Sequence, residues 1–174
     1  MSAPGRARNW VESWERRVPP LLAWALAAGT VWALGRGWPA PGWGGSGASV
    51  AAGLLAVAGA LVAGAGVWQF RRAATSLSPF AGAGVRVLVV DGVYGWTRNP
   101  MYLGLALALA GVVVWRGSWA AVAPWPLFCA YLQRFQIRPE ERDLSAAFGA
   151  EFAAYQARVG RWCGRRGGSA DQDG

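Results

Sequence analysis

The apolar residues of this chain are gathered into long blocks rather than scattered at helical or strand spacing. Residues 18–35 and 48–70 contain no Asp, Glu, Lys or Arg. About 20 such residues, wound so that every backbone group is satisfied internally, cross a hydrocarbon core. These two blocks therefore predict transmembrane helices. Residues 100–115 and 117–133 are shorter, also uncharged, and divided only by Arg116 and the small Gly117 and Ser118. They predict a tight hairpin of two further spans. The expected fold class is all-α: a multi-pass membrane helical bundle of about four transmembrane helices, followed by a cytoplasmic C-terminal amphipathic helix.

The polar stretches between the blocks differ in character. Residues 38–49 are rich in Gly and Pro and read as a connector. The second block repeats small residues, with Gly53, Gly59, Ala60, Ala63 and Gly64 at spacings that let helices approach closely. Residues 71–99 form a segment long for a loop, with a β-branched run over 85–90. After the last block, Pro139 suits the first turn of a new helix and Glu140 and Glu141 suit its dipole. Along that helix Leu144, Phe148, Phe152, Tyr155 and Val159 recur at steps of three or four, marking one inward face. Four residues before Leu144, Glu140 falls on this same stripe, whereas Glu141 is turned roughly 100° away. An inward carboxylate needs a partner. Helix N–H groups, Arg98, Arg134 or Arg138 would serve, and so would a bound ligand.

Composition reinforces the membrane reading, with 54% hydrophobic and 15% charged residues. The net charge of +8 raises the question of nucleic acid. Position answers it. All 17 basic residues are Arg, and all but Arg36 and Arg116 precede the first block, lie between the second and third, or follow from Arg134 onward. That is a positive-inside pattern. It places both termini and the loop carrying Arg71, Arg72, Arg86 and Arg98 on the cytoplasmic side of the cell (inner or plasma) membrane, near lipid headgroups, with no nucleic-acid partner. The charged start followed by residues 21–34 superficially resembles a signal peptide, but further apolar blocks follow and an uncleaved first span fits better. Cys129 and Cys163 make neither a disulfide framework nor a metal site. The absence of His removes His-ligated zinc and a Ser-His-Asp triad. Abundant Arg, Ala and Gly with no Lys suggest a bacterial, GC-rich source.

Just before the third block runs Gly92-Val93-Tyr94-Gly95-Trp96-Thr97-Arg98-Asn99-Pro100-Met101-Tyr102-Leu103-Gly104. Singly these residues fit a bland account, in which Asn99 caps a helix, Pro100 starts it, the aromatics form an interfacial belt and Arg98 snorkels. Together they closely resemble the Gly-x-Tyr-x-x-x-Arg-His/Asn-Pro-x-Tyr-x-Gly signature of the isoprenylcysteine carboxyl methyltransferase family and its relatives, the membrane phospholipid N-methyltransferases. The second half of that signature is matched by Glu140-Glu141-Arg142-Asp143-Leu144 and by Phe148-Gly149-Ala150-Glu151-Phe152-Ala153-Ala154-Tyr155. The resemblance covers about residues 71–162 and departs from many eukaryotic members in having Asn99 where they have His.

The resemblance implies a membrane methyltransferase that binds S-adenosylmethionine without a soluble dinucleotide-type domain and without a metal. Tyr94, Asn99, Pro100, Met101 and Tyr102 match positions lining the cofactor pocket, as do Val87, Leu88 and Val89, and Glu140 matches the cofactor-binding acid. Arg98 suits the cofactor carboxylate, and Arg138 or Arg134 would orient an acidic substrate. The acceptor expected is a hydrophobic small molecule or lipid, methylated at a carboxyl oxygen or a lipid amine. The domain organisation expected is a cytoplasmic segment over 1–17, two N-terminal spans over 18–70, the methyltransferase half over 71–162 and a disordered tail over 163–174. The alternative is a non-enzymatic small membrane protein, a transporter or an assembly factor. Ion-coupled transport is disfavoured because no acidic or basic residue lies inside the blocks.

Overall fold

The computed structural model describes residues 18–38, 45–75 and 87–164. The expected N-terminal segment, most of the Gly/Pro connector, Val85 and Arg86 of the β-branched run, and the tail from residue 165 lie outside the described residues. Every regular element among the described residues is helical. In order these are α1 (Pro20–Gly37), α2 (Ser46–Thr75), a 3-10 turn (Gly92–Gly95), α3 (Pro100–Arg116), α4 (Pro124–Leu132), a π turn (Gln133–Ile137) and α5 (Arg138–Arg158). Helices α1, α3 and α4 each carry Pro in the first turn, where its missing N–H costs nothing. Helix α3 stops at Gly117, whose φ of 56° is left-handed and whose N–H closes on the carbonyls of Val113 and Val114.

The principal pairing is α2 against α3, antiparallel and along a seam of small residues. Ala52, Gly59 and Gly66 of α2, seven apart, meet Gly111, Gly104 and Pro100 of α3 in turn. A Cβ on Gly104 would lie 2.5 Å from the Gly59 carbonyl oxygen, and one on Gly59 would lie 2.6 Å from that of Gly104. The two backbones thus touch, which only small side chains permit. Of the small residues expected to serve packing, Gly59 and Ala63 are in this seam, while Gly53 and Gly64 face open space. A nearly uniform apolar helix offers no contrast from which to choose the packed face. Gly104→Ala is expected to cost about 1–3 kcal/mol through overpacking, whereas Gly53→Ala leaves stability unchanged or slightly raised. Thermal melts of the two variants in detergent check this.

Helix α1 lies parallel to α3, with the Trp24 indole donating to the Leu105 carbonyl at 3.0 Å and Arg116 passing beside Gly35. Helix α4 returns in the opposite direction, its Trp125 indole donating to the Ala106 carbonyl at 2.8 Å. At its far end Tyr131 and Gln136 donate to the Val18 carbonyl at 3.1 and 2.9 Å. The result is an up-down-up-down arrangement around Val31, Leu109, Val113, Phe128, Leu132 and Ile137. The start of α1, the end of α2, the start of α3 and the end of α4 gather at one end.

The fourth apolar block departs from expectation. Residues 117–123 form turns, and helix begins only at Pro124. A helix started earlier would carry Pro124 and Pro126 in its interior, where each removes a backbone bond and clashes with the preceding turn. Ser118 instead donates its hydroxyl to the Trp38 carbonyl. The π turn falls immediately before Pro139, where a widened turn relieves the same clash.

Helix Ser46–Ala73 is long and apolar enough to cross a membrane, with mean hydropathy 2.2; Pro100–Arg116 is apolar but shorter. The other two expected spans fold as helices that fall short of that measure. Large apolar side chains nonetheless cover the outside, among them Leu21, Leu26, Leu54, Leu61, Trp68 and Leu127.

Candidate active site

The entrance to α3 is pinned from three sides. From the first, Gly92 adopts φ 58°, and a side chain there would collide with Gln69, whose Oε1 accepts the Val93 N–H at 3.1 Å. The 3-10 turn is thereby fixed to the end of α2, and the Tyr94 hydroxyl reaches the Gly66 carbonyl at 3.5 Å. From α5, the Tyr155 hydroxyl donates to the Tyr94 carbonyl at 2.7 Å. From the strand of chain after α5, the Gly160 carbonyl accepts the Arg98 N–H at 3.1 Å, and the Arg161 carbonyl accepts from Asn99 Nδ2 at 2.9 Å. Asn99 therefore stands at the cap position of α3 without capping it. Its side chain ties the C-terminal return to the loop.

These anchors enclose a cavity of about 360 Å³, within the size range of small-molecule sites. Val87, Leu88, Val89, Tyr94, Arg98, Asn99, Pro100, Met101, Tyr102 and Glu140 all border it. The two halves of the motif meet directly, since the Tyr102 hydroxyl donates to the Glu140 carboxylate. Phe70, Glu141, Asp143, Leu144, Phe152 and Tyr155 complete the lining. Its ionisable groups are three carboxylates and the single guanidinium of Arg98, besides the phenols. Burial, and then the Glu140 charge, push the Tyr94 hydroxyl above the ordinary phenol range. Burial raises Tyr155 as well, with Arg98 opposing and Tyr94 adding to the shift. Both phenols remain protonated donors.

Glu141 corrects the helical-wheel expectation. It lies off the apolar stripe yet is only 8% exposed, more deeply buried than Glu140. Arg98 Nη1 stands 3.1 Å from its Oε1, and Arg161 grips both oxygens, Nε at 3.1 Å and Nη2 at 2.5 Å. That grip, above all its hydrogen bond, raises the Arg161 pKa. A wheel assumes one buried face, but the first turn of α5 is covered on a second flank by the returning segment. Leu144, Phe152, Tyr155 and Val159 do pack together with Leu88 and Val90 as the stripe implies. The stripe is bent rather than straight, because Gly149 breaks the helix at φ 49°, ψ −118°.

The two arginines expected to orient substrate are not among the cavity's lining residues. Arg134 lies on the π turn with its guanidinium over the Phe135 ring, 5.4 Å from the centroid. Arg138 is exposed in a separate recess behind Glu141. Sequence reasoning assigned no site role to Phe70 or Asp143. Phe70 read as the end of a span, and Asp143 carried no signal beyond its place in the second motif.

A family model described as phospholipid methyltransferase matches residues 48–151, more than half of the chain. That span includes α2 from residue 48 on, the pinned turn, α3 and the carboxylate pair of α5. An uncharacterized protein of Haemophilus influenzae is 37% identical over 62 residues, which make up 36% of this chain and 98% of that protein. No solved structure matches the chain. With the matched span running from the small-residue seam through the first motif half and into the second, the chain belongs to the phospholipid methyltransferase family.

Proposed function

We propose that this protein transfers a methyl group from S-adenosylmethionine to an oxygen or nitrogen of a lipophilic acceptor, in the cavity at the cytoplasmic end of a four-span bundle. The observation that carries this reading is the direct contact of Tyr102 with Glu140 in a cavity bordered by every residue of the expected donor set.

The lining suits such a donor chemically. Tyr94, Tyr102, Phe152 and Tyr155 offer aromatic faces to a sulfonium, an acid at Glu140 suits an ammonium, and Arg98 with the N–H groups at the start of α3 suits a carboxylate. S-adenosylmethionine, when bound, supplies a methyl group on a positively charged sulfur that is open to in-line displacement. The chain's own contribution is orientation and exclusion of water, which the pinned turn and the apolar walls provide. Tyr94 and Tyr155 stay protonated near neutral pH, so neither serves there as a general base.

Exposed Phe70, Val87 and Met101 at the rim give the cavity an apolar mouth. An acceptor bearing a hydrocarbon chain fits such an entrance. The apolar outer surfaces of α1, α2 and α4 would be an aggregation hazard in water and are at home in lipid. In that setting we read the alternating helix directions as four passages through the membrane region, and the positions of the Arg-rich segments favour a cytoplasmic side for the cavity end and both termini.

The test is equilibrium binding of S-adenosylmethionine to the detergent-purified chain, paired with transfer of labelled methyl into bacterial lipid extracts. Saturable binding and a labelled lipid fraction are expected. Absence of binding, even with donor far above cellular levels, overturns the donor site. Binding without label in any lipid fraction overturns the lipophilic acceptor.

A further inference from the structure

Two guanidiniums reach Glu141, and they hold it on unequal terms. Arg161 takes it as a fork, with Nε 3.1 Å from Oε1 and Nη2 2.5 Å from Oε2, each a hydrogen bond. Arg98 stands with Nη1 3.1 Å from Oε1, an ion pair in which that nitrogen is not aligned for a hydrogen bond. A two-pronged guanidinium pair is the stronger and more directional contact, so the carboxylate is held chiefly by Arg161. Their positions differ as well. Arg98 borders the donor cavity, whereas Arg161 is outside its lining, in the recess behind Glu141.

Arg161 is put in place by its neighbours in the returning segment. The Gly160 carbonyl before it accepts the Arg98 N–H at 3.1 Å, and its own carbonyl accepts from Asn99 Nδ2 at 2.9 Å. Trp162 after it donates its indole N–H to Gln133 Oε1 at 3.1 Å. The segment is thus fastened to Arg98 and Asn99 on one side and to the π turn on the other. The consequence is electrostatic. The Glu141 side chain is 10% exposed, and a carboxylate that deep is costly unless a cation compensates it. Were Arg98 to supply that compensation unaided, any turn toward a ligand would strip it away. With Arg161 forked onto both oxygens, Glu141 stays satisfied while Arg98 faces the cavity.

We propose that Arg161 is a positioning residue for methyl-donor binding, which by holding Glu141 leaves the Arg98 guanidinium to the donor's carboxylate. This role rests on the reading of the cavity as an S-adenosylmethionine site, and it reaches that site from outside the lining.

The experiment titrates the full chain in detergent with S-adenosylmethionine and, separately, with its decarboxylated analogue. The ratio of the two affinities isolates the carboxylate, because a loss of stability or of cavity shape falls on both ligands alike. Arg161→Gln is expected to lower the preference for the carboxylate-bearing ligand roughly three- to tenfold, since Glu141 then draws Arg98 back. Arg98→Gln should lower it at least as far, and adding Arg161→Gln to Arg98→Gln should change it little more. If Arg161→Gln does not fold, Arg161→Lys keeps the charge without the fork and should lower the ratio about two- to threefold. An unchanged ratio in the folded Arg161 variant, or an equal fall with Arg98 already replaced, overturns the role of Arg161 and leaves the donor site standing. Failure of the wild type to bind either ligand overturns the donor site, and this role with it.

Discussion

Glu141→Ala is expected to destabilise the protein by about 3–5 kcal/mol, the cost of removing one partner from a buried ion pair. The Arg98 side chain is only 6% exposed and Glu141 10%, so the charge left behind on Arg98 has little access to water. Arg161 is 31% exposed and recovers part of its hydration, which is why the larger share of the loss falls on Arg98. The damage spreads because Glu141 holds the first turn of α5 against the entrance to α3 and against the returning segment. A loss of that size lowers the melting temperature by roughly 6–20 °C for a chain of this length. Glu141→Gln keeps the shape and some hydrogen bonds and should fall between the wild type and Glu141→Ala. A Glu141→Ala protein that melts within a degree or two of the wild type in the same detergent would remove Glu141 from its structural role.

The contrast between Glu140 and Glu141 shows what the sequence carries and what it does not. Periodicity at 3.6 residues finds the stripe of Leu144, Phe152, Tyr155 and Val159, because those positions differ sharply from their exposed neighbours. It also aims Glu140 at the cavity. It cannot find Glu141, since that burial depends on residues 159–163 folding back over a flank that local spacing marks as exposed. The same limit governs α2, where apolar residues on every side conceal the seam of Ala52, Gly59 and Gly66, and only the facing Gly104 and Gly111 reveal it. The helices themselves follow from uncharged blocks, except where Pro124 and Pro126 delay the last one. Both prolines stand in the sequence, but they leave the block's mean hydropathy high and so do not show in it. The ten residues expected to line the donor pocket border one cavity because Gln69, Tyr155 and Gly160, none of them expected to hold the loop, fix the chain between the two motif halves.

Glu140→Gln is expected to weaken S-adenosylmethionine binding roughly 10- to 100-fold while leaving the melting temperature close to the wild type. The magnitude is that of one charge-assisted hydrogen bond, about 1.5–3 kcal/mol, in a cavity shielded from bulk water. Stability is spared because Glu140 is only half-buried and faces the cavity, whereas Glu141 bears the packing of α5. Tyr102 donates to the Glu140 carboxylate from α3, so it acts as a positioning residue that sets where the charge points. Tyr102→Phe alone should therefore weaken binding by less than Glu140→Gln, with a loss of roughly three- to tenfold for one neutral donor. If Tyr102 acts through Glu140, the double variant binds about as weakly as Glu140→Gln by itself, and the cycle shows strong coupling. Additive losses would mean that Tyr102 meets the ligand on its own account. Unchanged affinity in Glu140→Gln would remove the acid from the donor site, and the reading of the cavity built on it would fail with it.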